Sequence, residues 1–101
     1  MPNLSLPLRF PHLGEILRTE FLEPMDVTQY RLAVDLKIPH SRVTAIIRGR
    51  RAITPDTALR LSRYFGTSAE FWIGLQQEFD LRKIRAESGA AIVSQITPLA
   101  V

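Results

Sequence analysis

Residues 29–48, QYRLAVDLKIPHSRVTAIIR, admit few folds. Apolar side chains fall at Leu32, Ala33 and Leu36, again at Ile38, and again at Val43, Ile46 and Ile47, the spacing of two helices that each bury one face. Pro39 between them cannot sit inside a helix but is tolerated at its first positions, so it divides the stretch in two. Helices that cross steeply must approach closely, and Ala33 supplies the small side chain where their backbones meet. The predicted unit is a helix-turn-helix. The outward residues of its second helix, His40, Ser41, Arg42, Thr44 and Ala45, are short or hydrogen-bonding, which suits the base edges of a major groove.

Charge points the same way. The chain carries a formal net charge of only +3, but seven basic residues lie between Lys37 and Arg63 (Lys37, Arg42, Arg48, Arg50, Arg51, Arg60, Arg63) against one acid, Asp56. That segregation gives one face a field that attracts phosphate and leaves the remainder net acidic, suited to a basic protein partner.

A length of 101 residues fits a single domain, with a helical core over about 12–86 and terminal segments 1–11 and 89–101. No stretch approaches the roughly 20 apolar residues that span a bilayer, and the N-terminus lacks a signal-peptide pattern. The chain has no cysteine, hence no disulfide and no thiolate. A cytoplasmic protein without membrane association is expected.

Five helices and two extended ends are predicted. Leu13, Ile16, Leu17 and Phe21 form the first apolar face, with His12 as cap and Pro24 as stop. Thr28 caps the second helix, and Gly49 ends the third. The fourth opens on Thr54-Pro55-Asp56 and closes at Gly66. The fifth starts from the capping-box pattern Thr67-Ser68-Ala69-Glu70, carries Phe71, Trp72, Leu75 and Phe79 on one side, and is expected to stop near Gly89. PNLSLPLRFP at the start reads as extended and AAIVSQITPLAV at the end as a strand followed by a loose end, with SLPLRF and AIVSQIT expected to pair as short strands, within one chain or across a dimer. The expected fold is therefore all-α, with short terminal strands.

The residues give little support for catalysis. His12 and His40 lie far apart without cysteine, so no metal site is expected. Ser41 beside His40 on one helical turn cannot face it as nucleophile and base. The five glycines are scattered and form no phosphate loop. Neither an enzyme nor a cofactor is expected. Phe65, Phe71, Trp72 and Phe79 read first as core under the last two helices, with part of that face available to a dimer contact.

PHLGEILRTEFLEPM, followed by the stretch from Gln29 to Leu81 with its segment RAITPDTALRLSRYFGTSAEFW, resembles the HigA-type antitoxins. These are a branch of the Xre (Cro/C1-like) helix-turn-helix proteins, and the resemblance covers nearly the full length. It departs from the usual pattern at Leu13, where proline is frequent, and at Lys37, where the turn commonly holds glycine or asparagine. What it implies is a five-helix Cro/C1-like domain acting as a cytoplasmic homodimer. Such a dimer neutralises a small ribonuclease toxin and represses its own operon by binding a palindromic double-stranded operator.

Carried onto this chain, base-edge roles fall to His40, Ser41, Arg42 and Thr44, and phosphate roles to Gln29, Arg48, Arg50, Arg51 and Thr54. The dimer contact is expected at Trp72 and Leu75 on the fifth helix or at Ile92 and Val93 in the tail. Two alternatives are a stand-alone Xre-type repressor without a toxin and a toxin-binding protein without useful DNA affinity. Retention of Arg42, Arg50 and Arg51 speaks against the second.

Overall fold

His12 starts the first helix by accepting the Gly14 amide on its Nδ1 at 3.0 Å. In the computed structural model, which describes residues 11–100, that helix runs without a break through Leu13–Ile16, the π-turned Leu17–Leu22 and Glu23–Met25; we call it α1. Pro24 lies inside its last turn rather than beyond its end. Proline brings no amide hydrogen to the ladder, and the wider turns before it, with the Glu23 N–H on the Arg18 carbonyl, carry the chain into it.

Four more helices follow: α2 (Gln29–Leu36), α3 (His40–Ile47), α4 (Pro55–Phe65) and α5 (Ala69–Gln95). Hydroxyls of Thr28, Thr54 and Ser68 accept the amides of Arg31, Thr57 and Phe71 at 3.0, 3.3 and 3.0 Å, satisfying donors that a helix start leaves open. Pro55 occupies the first position of α4, as its sequence predicts.

The ends of α1, α2 and α3 share one device. At each, a residue one or two positions past the helix takes a left-handed conformation: Asp26 at φ 55°, Lys37 at φ 61° and Gly49 at φ 74°. The following amide then reaches back five residues, Val27 to Leu22, Ile38 to Ala33 and Arg50 to Ala45, at 2.9, 3.1 and 2.9 Å. The second of these is the turn of the helix-turn-helix, and it buries Ile38 beside Ala33. A lysine there is strained by about 1 kcal/mol relative to glycine. Lys37→Gly is therefore expected to stabilise the fold by up to about 0.5 kcal/mol after the added freedom of the unfolded chain, raising Tm by a few degrees at most in thermal unfolding.

Leu32, Ala33, Leu36, Ile38, Val43, Ile46 and Ile47 are all buried, and Leu13 and Leu17 of α1, Ile53, Ala58 and Leu61 complete the centre around them. Polar bonds lock α2 onto α4. The Tyr64 hydroxyl donates to the Asp35 carboxylate, and the Arg60 guanidinium donates to the Leu36 carbonyl at 2.8 Å. The tyrosine bond, with Arg31 adding, holds Asp35 below the usual carboxylate range.

Two expectations are corrected. Residues 90–95 continue α5 instead of forming a strand, and the described residues contain no strand at all. Gly89 costs a helix only about 1 kcal/mol, Ala90 and Ala91 favour it, and the halt falls where Pro98 forces the backbone before it out of helical geometry. The strand expected at SLPLRF lies outside the described residues. Trp72 is the second correction: it has no exposed surface, its indole N–H donates to Thr67 Oγ1 at 2.6 Å, and Phe21 and Phe71 pack on it with ring centres 4.9 Å away. Its side chain belongs to the core, so it presents nothing to a partner.

Candidate nucleic-acid interface

Only eight residues long, α3 buries Val43, Ile46 and Ile47 and turns the rest of its surface outward. Its start has no side-chain cap, because Pro39 in the cap position offers none. The first-turn amides of His40 and Ser41 therefore stay open at the positive end of the helix. His40, Ser41 and Arg48 are exposed, while Arg42, Thr44 and Ala45 are half-buried.

The two halves of the motif are tied at this face. Thr44 Oγ1 donates to Gln29 Oε1 at 3.4 Å, joining a base-edge candidate to a phosphate candidate and leaving the Gln29 NH2 as a donor. The His40 ring meets the edge of Tyr30 with centres 6.0 Å apart, and Tyr30 is 68% exposed. Sequence reasoning passed over Tyr30. Its only signal there is its place beside Gln29 in the first turn of α2, on the side facing the recognition helix.

Arg42 Nε is buried without an acceptor in the protein. Its charge also acts on Asp56, whose carboxyl is held below the usual range first by the hydrogen bond from Arg60 and further by the charges of Arg60 and Arg42. Arg50 and Arg51 are exposed in the loop past α3. Thr54 is exposed too, but its hydroxyl already caps α4 and donates to Thr57 Oγ1 at 3.4 Å. Of the remaining predicted positions, Leu75 packs half-buried against the core, and Ile92 and Val93 stand 47% and 78% exposed on the distal part of α5. Among the described residues no group of three or more His, Cys, Asp or Glu could hold a metal ion, and no helix is long and apolar enough to cross a membrane.

Residues 20–72 match the family model described as helix-turn-helix. A solved structure of the Pseudomonas aeruginosa antitoxin HigA with the higBA promoter is 46% identical, covering 91% of this chain and 100% of that one with a TM-score of 0.87. The chain belongs to the HigA branch of the helix-turn-helix family. Other relatives are consistent with that placement. Antitoxin GraA in complex with its operator is 37% identical over 98% of this chain and 100% of its own, with a TM-score of 0.86. Virulence-associated protein I of Dichelobacter nodosus is 46% identical over 88 residues, 87% of this chain and 80% of that protein. None of these names is that of an enzyme. Within the HigA frame, the uncapped start of α3 and the Arg42 side chain are this chain's candidate reading head.

Proposed function

We propose that this chain is an antitoxin that binds the operator of its own operon through α3 and neutralises a small ribonuclease toxin. The observation that carries the reading is the outward face of α3, held by Thr44–Gln29 and bordered by Arg48, Arg50 and Arg51, on a chain 46% identical to a HigA solved with its promoter. His40, Ser41, Arg42 and Thr44 address base edges, with a two-bond contact to guanine assigned to Arg42 because a guanidinium matches the two acceptors of that base. Gln29, Arg48, Arg50, Arg51 and Thr54 face the sugar-phosphate backbone and fix register.

A palindrome calls for two copies. We place the dimer contact on the distal half of α5, where Leu81, Ile84, Ile92 and Val93 are exposed apolar residues on a helix that has left the core behind and Ile96 is exposed just past its end. Reading two half-sites requires the dimer to set its recognition helices one turn of DNA apart, roughly 34 Å. The toxin is expected to be basic, matching the acidic remainder of the chain, and to act in the cytoplasm.

The antitoxin part is tested by co-expression with the product of the gene adjacent to its own. The expected result is relief of growth arrest and co-purification of the two proteins. A neighbour that is harmless alone and does not co-purify would leave a stand-alone repressor.

A further inference from the structure

Three segments distant in sequence converge beyond the C-terminal end of the recognition helix. His12 and Leu13 at the start of α1, Gly49 to Ala52 in the loop after α3, and Gln76, Phe79, Asp80 and Lys83 on one side of α5 line a single cleft. Its three permanent cations are Arg50, Arg51 and Lys83, against one carboxylate, Asp80, which is tied to Gln76 Nε2 at 3.0 Å.

The arrangement is built rather than incidental. His12 fills the gap between the loop and α5: its Nδ1 is taken by the Gly14 amide, its ring lies edge-on to Phe79 at 5.9 Å, and a side-chain carbon at Gly49 would come within 3.0 Å of its Nε2. Gly49 is therefore required twice, for its left-handed backbone and for room beside the imidazole. Gln76 Oε1 accepts the Ile53 amide at 3.1 Å and pins the far end of the same loop to α5. Arg50, Arg51 and Lys83 thus line one concave site whose loop is fixed against α5.

We infer that this cleft binds a phosphate group and that Lys83 is a third phosphate contact, extending the nucleic-acid surface from the helix-turn-helix onto α5. A concave site with three cations from two elements concentrates positive potential more than the same charges spread on a convex surface. The side chains are of the type that engages phosphate oxygens, lysine as a point charge and arginine as a fork. The inference rests on the proposed DNA-binding reading for its source of phosphate, the operator backbone; a free phosphorylated small molecule offers the same chemistry.

The test uses the whole chain with Lys83→Ala and, as a control on the same helix outside the cleft, Arg85→Ala. Fluorescence anisotropy on the promoter duplex and on a scrambled one, each across a range of salt, should show Lys83→Ala weakening both by the same factor. It should also flatten log affinity against log salt by about 0.9 per protomer, while Arg85→Ala leaves the slope unchanged. Inorganic phosphate is titrated in parallel, following backbone amide signals by NMR. Saturable shifts at Gly49, Arg51 and Lys83 with an unchanged salt slope would keep the site and assign it to a free anion. An unchanged slope with no such shifts overturns the inference. If the wild type binds neither duplex, the DNA-binding reading fails by itself, and the phosphate titration alone then judges the cleft.

Discussion

Gly14→Ala is expected to destabilise the protein by about 3 kcal/mol and to lower Tm by more than about 10 °C, a large effect for one methyl group. Gly14 is buried where α1 crosses the end of the recognition helix. A side-chain carbon there would overlap the backbone carbonyl oxygens of Ile46 and Ile47 and lie 2.8 Å from His12 Cε1. Two of the three obstacles are backbone, so relief requires moving one helix against the other. The shift would carry α3 away from its seat on α2, and operator affinity should fall with stability. Gly74→Ala is the internal comparison: nothing lies within 4 Å of its added carbon, it is interior to α5, and it should stabilise by up to about 1 kcal/mol. Thermal and urea unfolding of the two variants should differ in sign.

Arg42→Ala should weaken operator binding by about 1 to 3 kcal/mol and relax the preference at one base position per half-site. Its effect on folding should be small by contrast. The side chain brings a buried Nε with no acceptor, so its removal takes away an unsatisfied donor instead of creating one. That separation makes the binding measurement interpretable. Equal losses on operator and scrambled DNA at the same salt would assign Arg42 to a phosphate.

The helical framework was largely readable because its signals are local. The apolar spacing from Leu32 to Ile47 gave the buried set, and Thr28, Thr54, Ser68, Gly49 and Gly66 mark helix ends by chemistry that acts within one turn. Lys37 was identified as the left-handed turn residue because the HigA resemblance aligned it with a glycine position, and its φ of 61° bears this out. What could not be read depends on partners distant in sequence. β-branched Ile92 and Val93 suggest a strand, yet a strand needs a neighbour, and among the described residues these continue α5. Trp72 has the helical spacing of both a core residue and an interface residue, and only the Phe21 and Phe71 rings packed against it decide for the core. Gly14 looked like one scattered glycine among five until α3 was seen to end against it. On α3 itself, His40 and Ser41 are exposed while Arg42 and Thr44 are half-buried, and Tyr30, which meets the His40 ring from α2, carries no periodic signal.

Reading of DNA sequence by α3, as proposed, can be measured directly. The most direct measurement is a pair of equilibrium titrations of the wild-type chain at one physiological salt concentration. One uses the promoter duplex upstream of its own gene and the other the same bases scrambled. Binding to the promoter is expected to be at least about a thousandfold tighter, the usual lower margin of specific over non-specific recognition. Equal affinity for the two duplexes would contradict it.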